Sequence, residues 1–583
     1  MLLGLLVLLA AAPTWVDVPG PTGARCGRST QVALSTAAFP GEARGGSVYV
    51  FVPEGYRDRG PVDLTLHYHG WHTHVADSMG LHGYAAHTWA SGANTVLVMP
   101  QGPWNAPSSD FGQLLAPEGA RALIEDVARL VRARVRTTDA SAAAAGGPLV
   151  GDVTVTAHSG GYVPATAALA PGVPGVRMVG FLDALYGSHA ELVAFAARGG
   201  LVRVVGTLTA KHNDALLGRL GRDAATRAHP RSLRDAGAVV WRGRGDHYGV
   251  TWSDDTYAEL LRWGARHSRA GPRVELREAR CEGAVATVRW MAPLDEDVEA
   301  WTVQTWTRAR PAAWETVATV DAASTSASFR CAEPVRVRVR PRVRGVAEPL
   351  ASDIYALAPD PGVLVVDGID RVVRAPSPGL AHDLAARVGE AARAVATVTD
   401  EAVTEREVDL TRWNAVVWLT GPDSAEEGTL DDSAQALLRA YVEGGGKLVV
   451  SGAGVAHDLG GTDGVPRADK SRPILKPGAH GAAFLADVFS ARYRAPQRTA
   501  RHVRAEGKRY TILARGGGYA APAMHSLKAL NGGHAFAVWA DGRAVGVGQR
   551  GRTLLLGVPV ELVDGTAARA QLLARALKFV KAG

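Results

Sequence analysis

The feature that most constrains this chain is a change in its hydrophobic pattern near Gly271-Pro272. Before that point, short apolar runs alternate with stretches that carry apolar residues at helical spacing. Such alternation is typical of βαβ units, which stack on a mostly parallel sheet. Residues 21–268 are therefore expected to form one α/β domain. Its expected strands are 48–52, 62–68, 95–100, 153–157, 176–182, 201–208 and 238–242, and its clearest helices are 122–135 and 257–267.

The pattern after the change contains strand-like segments only. Residues 274–357 show turn residues between these segments and no helical period, which predicts a β-sandwich over residues 271–358. This segment resembles a fibronectin type III module. Trp290 stands in its second strand, the stretch from Trp301 to Trp306 makes the third, and residues 335–343 alternate valine with arginine.

The βα alternation returns after a linker at residues 358–362. Buried strands are expected at 364–366, 415–419, 448–451 and 553–556, and an amphipathic helix at 431–442 ends at three glycines. A chain of 583 residues exceeds the roughly 250 to 300 residues of a single core. The predicted fold class is therefore a multidomain α/β protein, with a second α/β domain over residues 361–583.

The segment at 153–162 combines a strand, a tight turn of small residues and the start of a helix, with Ser159 at the turn. It matches the nucleophile elbow G-x-S-x-G, with Ala157 in place of the first glycine. Small neighbours are required because the serine sits in a strained turn that lifts its Oγ above the sheet. Ser159 is therefore the candidate nucleophile.

Further candidates follow in the chain order that such a site requires. The strand at 62–68 ends at His69-Gly70-Trp71, a turn that can supply one amide to an oxyanion hole. The second amide would come from Gly160. His247, in a glycine-flanked polar loop after the last strand, is expected to be the general base, and an ordinary surface histidine is the alternative.

Two aspartates compete for the role of the acid. Asp183 directly follows the strand at 176–182, whereas Asp214 follows the next strand in a looser loop. A carboxylate just beyond a buried strand needs a strong partner, because burial of an unpaired charge is costly. Asp183 is therefore favoured, with Asp214 as the alternative. His247 would take the proton of Ser159 while the acid fixes the imidazole tautomer.

Four histidines surround the same turn, namely His67, His69, His72 and His74. Residues 67 and 69 of a strand share a face, so two metal ligands are conceivable, but no third ligand or carboxylate is apparent. We therefore expect no metal and no cofactor. The histidines are interpreted as a polar rim of the catalytic cleft.

Residues 45–268 resemble an α/β-hydrolase. The segment from Tyr49 to Gly55, followed by the His-Gly strand, resembles secreted esterases of the polyester-depolymerase and feruloyl-esterase kind. This resemblance implies hydrolysis of an ester or amide through an acyl-enzyme, with an extracellular polymer as one possible substrate.

Residues 361–583 resemble the class I glutamine amidotransferase-like fold, in the version that trails fibronectin type III domains in exported bacterial amidases and lyase-like proteins. The resemblance rests on residues 365–370, 418–424 and 445–454. Amidotransferases carry a cysteine at their elbow, but the best match here begins with Ser451, and no cysteine follows Cys331. The resemblance thus implies a non-catalytic module for binding, packing or surface association.

The apolar run at 2–12 ends in small residues, as in a secretory signal peptide, which we expect over residues 1–20. No Lys or Arg precedes it, and a buried strand is the alternative. Neither this run nor a later segment has the length of a membrane span.

Cys281 and Cys331 could bridge in an oxidising compartment or remain thiols, with Cys26 left over. A secreted, periplasmic or cell-surface location is expected.

The charge of the chain argues against a nucleic-acid partner. Its net charge is +7, without a long basic run.

The leading hypothesis is a secreted serine hydrolase that cleaves an ester or amide. The alternatives are a non-catalytic cell-surface or matrix-binding protein with a relic hydrolase fold, and a lyase-like polysaccharide-active protein.

Overall fold

A computed structural model of the chain shows a mixed α/β, multidomain protein. It divides into two compact units. The first comprises Met1–Trp89, Ala93–Gly243 and Thr256–Ala265, and the second comprises Ala90–Gly92, Arg244–Asp255 and Arg266–Gly583. The apolar run at 2–12 lies outside the described residues, which are 13–19, 25–34, 47–81, 83–103, 110–136, 148–220, 225–226, 238–242, 247, 249–252, 256–292, 295–359, 361–369, 383–392, 395–421, 430–460, 479–497, 501–516, 519–520 and 524–581.

Every strand and helix expected before residue 268 is present in the structure, with small differences at the ends. The strands are β1 Val16–Pro19, β2 Arg25–Ala33, β3 Ser47–Pro53, β4 Val62–Tyr68, β5 Val96–Pro100, β6 Val150–His158, β7 Val176–Leu182, β8 Leu201–Gly206, β9 Ala225–Thr226 and β10 Ala238–Arg242. The helices are α1 Val75–Leu81, α2 Tyr84–Ala90, α3 Pro117–Arg136, α4 Tyr162–Ala167, α5 His189–Ala197, α6 Ala210–Leu220, α7 Gly249–Trp252 and α8 Thr256–Gly264.

The first unit is built on a sheet whose strand order, within the described residues, is β1-β2-β3-β5-β4-β6-β7-β8-β10-β9. Strands β1, β2, β3 and β5 pair antiparallel, and the pairs from β5-β4 to β10-β9 are parallel. Parallel strands lie between helices and read as continuous apolar runs. In β7, Met178, Val179, Phe181 and Leu182 are accordingly all fully buried.

The register of the parallel strands brings their carboxyl ends together. His158 pairs with Leu182, Leu182 pairs with Val205, and Gly206 pairs with Arg242. The residues that directly follow β4, β6, β7 and β8 therefore emerge along one side, which we call the carboxyl edge. Ligand sites of open α/β sheets lie at this edge.

The second unit contains the remaining elements. Its strands are β11 Glu275–Glu282, β12 Val285–Met291, β13 Val298–Thr307, β14 Arg310–Asp321, β15 Ser326–Arg330, β16 Val335–Val343, β17 Tyr355–Leu357, β18 Val363–Asp367, β19 Val395–Thr399, β20 Ala415–Gly421, β21 Leu448–Gly452, β22 Ala491–Gln497, β23 His502–Ala505, β24 Lys508–Thr511, β25 Arg515–Gly516, β26 Tyr519–Ala520, β27 Met524–Ala529, β28 His534–Trp539, β29 Ala544–Gln549 and β30 Thr553–Leu556. Its helices are α9 Leu384–Ala392, α10 Asp400–Thr404, α11 Asp432–Glu443, α12 Val455–Gly460, α13 Ala479–Phe489 and α14 Thr566–Lys581. Among the helices described in the whole chain, none combines the length and apolarity needed to cross a membrane.

One sheet runs through most of this unit, in the order β15-β12-β11-β19-β18-β20-β21-β30-β29-β28-β23-β24, with β27 beside β29 and β22 beside β27. A smaller sheet has the order β14-β13-β16-β17. Strand β11 joins the two parts expected from the sequence, because Glu278 pairs with Val398 and Ala279 with Thr397 of β19. The boundary expected at 358–361 therefore lies inside a continuous sheet.

The central strands of this sheet are buried on both faces. In β18, Val363 and Val365 belong to one apolar core, whereas Leu364 and Val366 belong to another. The first core includes residues of α9 and α14 together with Trp290 and Trp301 of the sandwich strands, and the second includes residues of α11 to α13. The sandwich strands and the helices of the α/β part thus share one core.

The sequence left open whether Cys281 and Cys331 form a bridge. The two residues are joined by a disulfide, with Cα atoms 6.1 Å apart. Cys26 is buried and takes part in no disulfide. The bridge links the end of β11 to the segment after β15, within the second unit.

Candidate active site

Ser159 occupies the turn between β6 and α4. Strand β6 ends at His158, a single 3₁₀ turn spans Ser159–Gly161, and α4 begins at Tyr162. The φ angle of Ser159 is 51°, in the left-handed region. For a residue with a side chain this conformation costs roughly 1–2 kcal/mol. The strand, strained turn and helix that the sequence pattern predicts are therefore present.

Backbone strain in the first unit is concentrated at the carboxyl edge. Its described non-glycine residues with positive φ are His72, Ser159, Asp183 and Ser188. These residues follow β4, β6 and β7, so all four lie in the loops at that edge. Strained residues persist where the surrounding structure enforces them, and they cluster at functional sites.

Glycines allow the turn after β4 to approach the elbow closely. A Cβ atom on Gly70 would lie 2.8 Å from the Cβ of Ser159 and 3.2 Å from the carbonyl oxygen of His158. A Cβ atom on Gly161 would lie 2.3 Å from the carbonyl oxygen of Tyr68. Separations below 3.0 Å are not tolerated, so both positions require glycine. The expected oxyanion turn and the expected nucleophile are thus in van der Waals contact.

His69 holds the peptide that follows Gly70. The backbone N–H of Gly102 donates to His69 Nε2 at 2.9 Å, so the other ring nitrogen, Nδ1, carries the proton. Nδ1 lies 2.7 Å from the carbonyl oxygen of Gly70 and donates to it. Burial is the main reason that the pKa of His69 falls to about 4, which keeps the ring neutral.

This contact fixes the direction of a candidate oxyanion donor. The carbonyl of Gly70 and the N–H of Trp71 belong to one planar peptide and point in opposite directions. By holding the carbonyl, His69 therefore also orients the amide of Trp71. Gln101 supports the same loop, since its Oε1 accepts from the N–H of Val75 at 2.8 Å. Gln101 and Gly102 were missed by the sequence analysis, although a polar residue directly after a buried strand was a usable signal.

Asp183 is fully buried and has a φ angle of 45°. Its carboxylate accepts five hydrogen bonds from the segment after β8. Three come from the backbone amides of Thr207, Leu208 and Thr209, and two from the hydroxyls of Thr207 and Thr209. Asp183 therefore holds the turn between β8 and α6, a structural role that the sequence did not predict. The two threonines were not anticipated.

The remaining triad candidates occupy different surroundings. Asp214 is exposed and lies within α6. His247 is half-buried between β10 and α7, in the segment Arg244–Asp255, which groups with the second unit. The structure therefore brings together Ser159, Asp183, Gly160 and the Gly70 turn, whereas the pairing of His247 with Ser159 is supported by chain order.

The four histidines near the turn do not form one group. His67 is fully buried, with Nδ1 2.9 Å from the hydroxyl of Thr156, and His69 is buried as described above. His72 is exposed, and His74 is half-buried. The interpretation of His67 and His69 as rim residues was wrong, because side chains at the end of a central parallel strand point into the packed interior. Within the described chain, the group with metal-ligand spacing is instead His267, Asp295 and Asp297 of the second unit.

Exposed apolar side chains occur in the loops at the carboxyl edge. Trp71 follows β4 and is 47 % exposed, Tyr186 follows β7 and is 42 % exposed, and Leu208 follows β8 and is 69 % exposed. Large apolar residues that stay exposed suit the binding of an apolar group. The loops of this edge therefore carry both the nucleophile candidate and exposed apolar side chains.

The elbow-like segment of the second unit has a different character. Ser451 is fully buried, its hydroxyl donates to the carbonyl of Val558 at 2.8 Å, and it accepts from the N–H of Val560 at 2.9 Å. The hydroxyl thus ties β21 to the segment after β30. Nearby, burial, with a smaller contribution from Asp367, raises the pKa of the Glu561 carboxyl to about 8.

The comparisons with known proteins are weak. No family model matches the chain, and no curated protein matches it. A serine-to-alanine variant of the feruloyl esterase module from Clostridium thermocellum, complexed with sinapinate, is 11 % identical, with a TM-score of 0.24, and the alignment covers 43 % of this chain and 92 % of that one. A β-1,2-glucanase from Parabacteroides distasonis and the pectate lyase PelI from Erwinia chrysanthemi are 12 % and 17 % identical, each with a TM-score of 0.13. Those alignments cover 15 % and 16 % of this chain, but only 13 % and 31 % of the other two.

Proposed function

We propose that the chain contains an α/β-hydrolase domain that cleaves an ester by serine catalysis, with Ser159 as nucleophile, Asp183 as acid and, from its place in the chain order, His247 as general base. The observation that carries the proposal is the left-handed Ser159 at a strand-turn-helix junction, packed against the Gly70 turn. A strained serine in that position is what the elbow requires. The five hydrogen bonds to Asp183 support an ionised carboxylate at the neighbouring strand end.

The reaction would proceed by acyl transfer. His247 takes the proton of the Ser159 hydroxyl while Oγ attacks the ester carbonyl, and the amides of Gly160 and Trp71 donate to the developing oxyanion. Collapse of the tetrahedral intermediate expels the alcohol, which takes the proton from His247. Water, activated by the same histidine, then releases the acid and restores Ser159. In this mechanism, His69 is a positioning residue that orients the Trp71 amide.

The substrate we propose is an ester with a large apolar or aromatic group, carried by an extracellular polymer. Trp71, Tyr186 and Leu208 offer exposed apolar surface in the loops of the carboxyl edge. The disulfide between Cys281 and Cys331 supports an oxidising, extracytoplasmic location. In the second unit, the fibronectin-like strands and the amidotransferase-like part without a cysteine would serve binding or attachment.

The test is the reaction of the whole protein with a fluorophosphonate probe and with p-nitrophenyl esters. We expect labelling of the wild type, and we expect Ser159→Ala to abolish labelling and to lower kcat by about a millionfold. Ser188→Ala is the matched control, because Ser188 also lies in a loop of the carboxyl edge and has a φ angle of 66°. It should retain both labelling and turnover.

Two results would contradict the proposal. Unimpaired ester hydrolysis by Ser159→Ala would show that another group performs the chemistry. A folded wild-type protein that neither labels nor hydrolyses any ester of the series would instead support a non-catalytic binding protein with a relic hydrolase fold.

A further inference from the structure

The second unit contains a cavity of about 640 Å³ that the proposed hydrolase does not use. It lies where α12 and α13 meet strands β22 and β27, and its lining includes Gly460, Leu485, Arg492, Tyr493, Arg494 and Lys528. A volume of this size is typical of sites for small organic ligands, which occupy roughly 300–1,000 Å³. A single inorganic anion would leave most of it unfilled.

Among the described residues, the lining carries three cations and no anion. Arg492, Arg494 and Lys528 are exposed side chains on β22 and β27. Within the part of the chain that the structure describes, none of the three forms an ion pair, whereas Arg439 on nearby α11 is paired with Asp487. No acidic side chain of the described residues therefore neutralises the three positive charges at the cavity.

The strand register places two of these cations against each other. Arg492 of β22 lies directly opposite Lys528 of β27 in the antiparallel ladder. Like charges at directly opposite positions destabilise a strand pair. A negatively charged ligand between the two side chains would attract both of them and so offset their mutual repulsion. A bulge between Tyr493 and Ala495 shifts the register beside Arg494, the third cation.

Aromatic rings lie beside the cations. The ring of Tyr493, which lines the cavity, lies 5.2 Å from that of His457 and 5.6 Å from that of His525. The two imidazoles are stacked, with centroids 5.0 Å apart. Burial, with a further contribution from His457, lowers the pKa of His525 to about 3, so that this ring is neutral. The buried rings therefore support Tyr493, which offers the body of a ligand an aromatic surface next to the charged groups.

We propose that this cavity binds a small organic polyanion, a molecule with a carbon framework and at least two carboxylate or phosphate groups that Arg492, Arg494 and Lys528 hold. The volume argues for the carbon framework, and the three unneutralised cations argue for more than one negative group. Arginine and lysine both bind these anions, arginine through two parallel hydrogen bonds. The inference is independent of the proposed hydrolase, because the lining of the cavity contains none of the residues proposed for that site.

The test is isothermal titration calorimetry on the full chain with three probes. Citrate represents the carboxylate source, fructose 1,6-bisphosphate represents the phosphate source, and maltose is an uncharged probe of similar size. We expect one or both anions to bind and maltose not to bind. Whichever anion binds more tightly assigns the anionic group of the ligand.

The variants Arg492→Gln and Lys528→Gln should each weaken binding at least about tenfold, because each removes a charged hydrogen bond to the anion. The matched controls are Arg509→Gln and Lys508→Gln, which change exposed cations of β24 outside the cavity. They should change the dissociation constant by less than about twofold, since isolated surface charges contribute little. Calorimetric melting checks that all four variants are folded.

Three results would overturn the proposal. In the first, neither anion binds at millimolar concentration. In the second, maltose binds as well as the anions, which would show that charge is not the basis of recognition. In the third, the control variants weaken binding as much as the cavity variants, which would indicate a general effect of net charge.

Discussion

Ser159 and Asp183 directly follow His158 and Leu182, a paired position of two adjacent parallel strands, and both have left-handed backbone. The left-handed backbone of each residue costs roughly 1–2 kcal/mol, and glycine at either position would avoid that cost. Ser159 and Asp183 therefore occupy two positions where the backbone conformation alone would favour glycine. For Asp183, the five donors of residues 207–209 offset part of the cost. The same bonds imply that the carboxylate has a structural role beside any catalytic one.

Replacement of Asp183 separates the two roles. We expect Asp183→Asn to lower kcat by about 10⁴-fold, because the wrong imidazole tautomer is favoured. The variant should also lower the free energy of unfolding by about 1–3 kcal/mol, because its NH₂ group would face N–H and O–H donors. Asp214→Asn, on the exposed side of α6, is the control and should change neither quantity. Esterase assays below the melting temperature, together with urea denaturation, measure both effects.

The outcomes of this experiment are distinct. Reduced stability with unchanged kcat would make Asp183 purely structural. A loss of kcat in Asp214→Asn alone would move the acid to α6 and leave the assignments of Ser159 and His247 intact.

At the scale of elements, the site depends on contact between the turn after β4 and the elbow after β6. The register of the parallel pair β4-β6 runs to Tyr68 and Ala157, so the two turns begin side by side. Gly70 and Gly161 then permit backbone contact that a larger residue would block. His69 and Gly102 link the turn to the end of β5. Three adjacent parallel strands thus cooperate in positioning one peptide, that of Gly70 and Trp71.

Gly70→Ala tests this contact. The added methyl group would collide with Ser159 and displace it, so we expect kcat to fall by about 10²-fold, the scale of a displacement near 1 Å. Gly187→Ala is the matched control at the same edge, because its methyl group would meet the ring of Tyr162 at an ordinary 3.6 Å. Steady-state kinetics with p-nitrophenyl acetate compares the two. Equal activity of both variants would show that the Gly70 turn does not position the nucleophile.

At the scale of the whole molecule, the second unit is held together by the pairing of β11 with β19 and by a core that mixes both of its parts. Trp290 and Trp301 of the sandwich strands share that core with Val365 and Leu419 of the α/β part. An exposed sheet edge is a template for aggregation. The α/β part on its own would therefore present the edge of β19 together with uncovered apolar surface.

Two fragments test this architecture. Residues 266–583 should form a soluble monomer with one thermal transition, because the shared core and sheet are intact. Residues 361–583 should aggregate or melt at a lower temperature, because β19 loses its partner and the core loses its tryptophans. Size-exclusion chromatography and scanning calorimetry distinguish these results. A monomeric shorter fragment with the melting temperature of the longer one would show instead that the two parts are independent domains.

Local sequence pattern was sufficient to predict most elements and the candidate nucleophile. Apolar periodicity depends on neighbouring residues only, and it located β4, β7, β10 and β16 with the bounds that the structure shows. The small residues around Ser159 likewise predicted a strand, turn and helix, because the steric demands of that turn involve positions only two apart.

Contacts between distant segments were decided by the tertiary structure alone. The donors from Thr207 and Thr209 to Asp183, the bond from Gly102 to His69, the joining of β11 to β19 and the three cations around one cavity each depend on which strands become neighbours and in which register. Strand order is set by the total burial of apolar surface and by satisfaction of backbone hydrogen bonds over the whole unit, which no single segment encodes. The sequence therefore determined the elements and the chemical groups they carry, whereas the packing of those elements determined which groups meet.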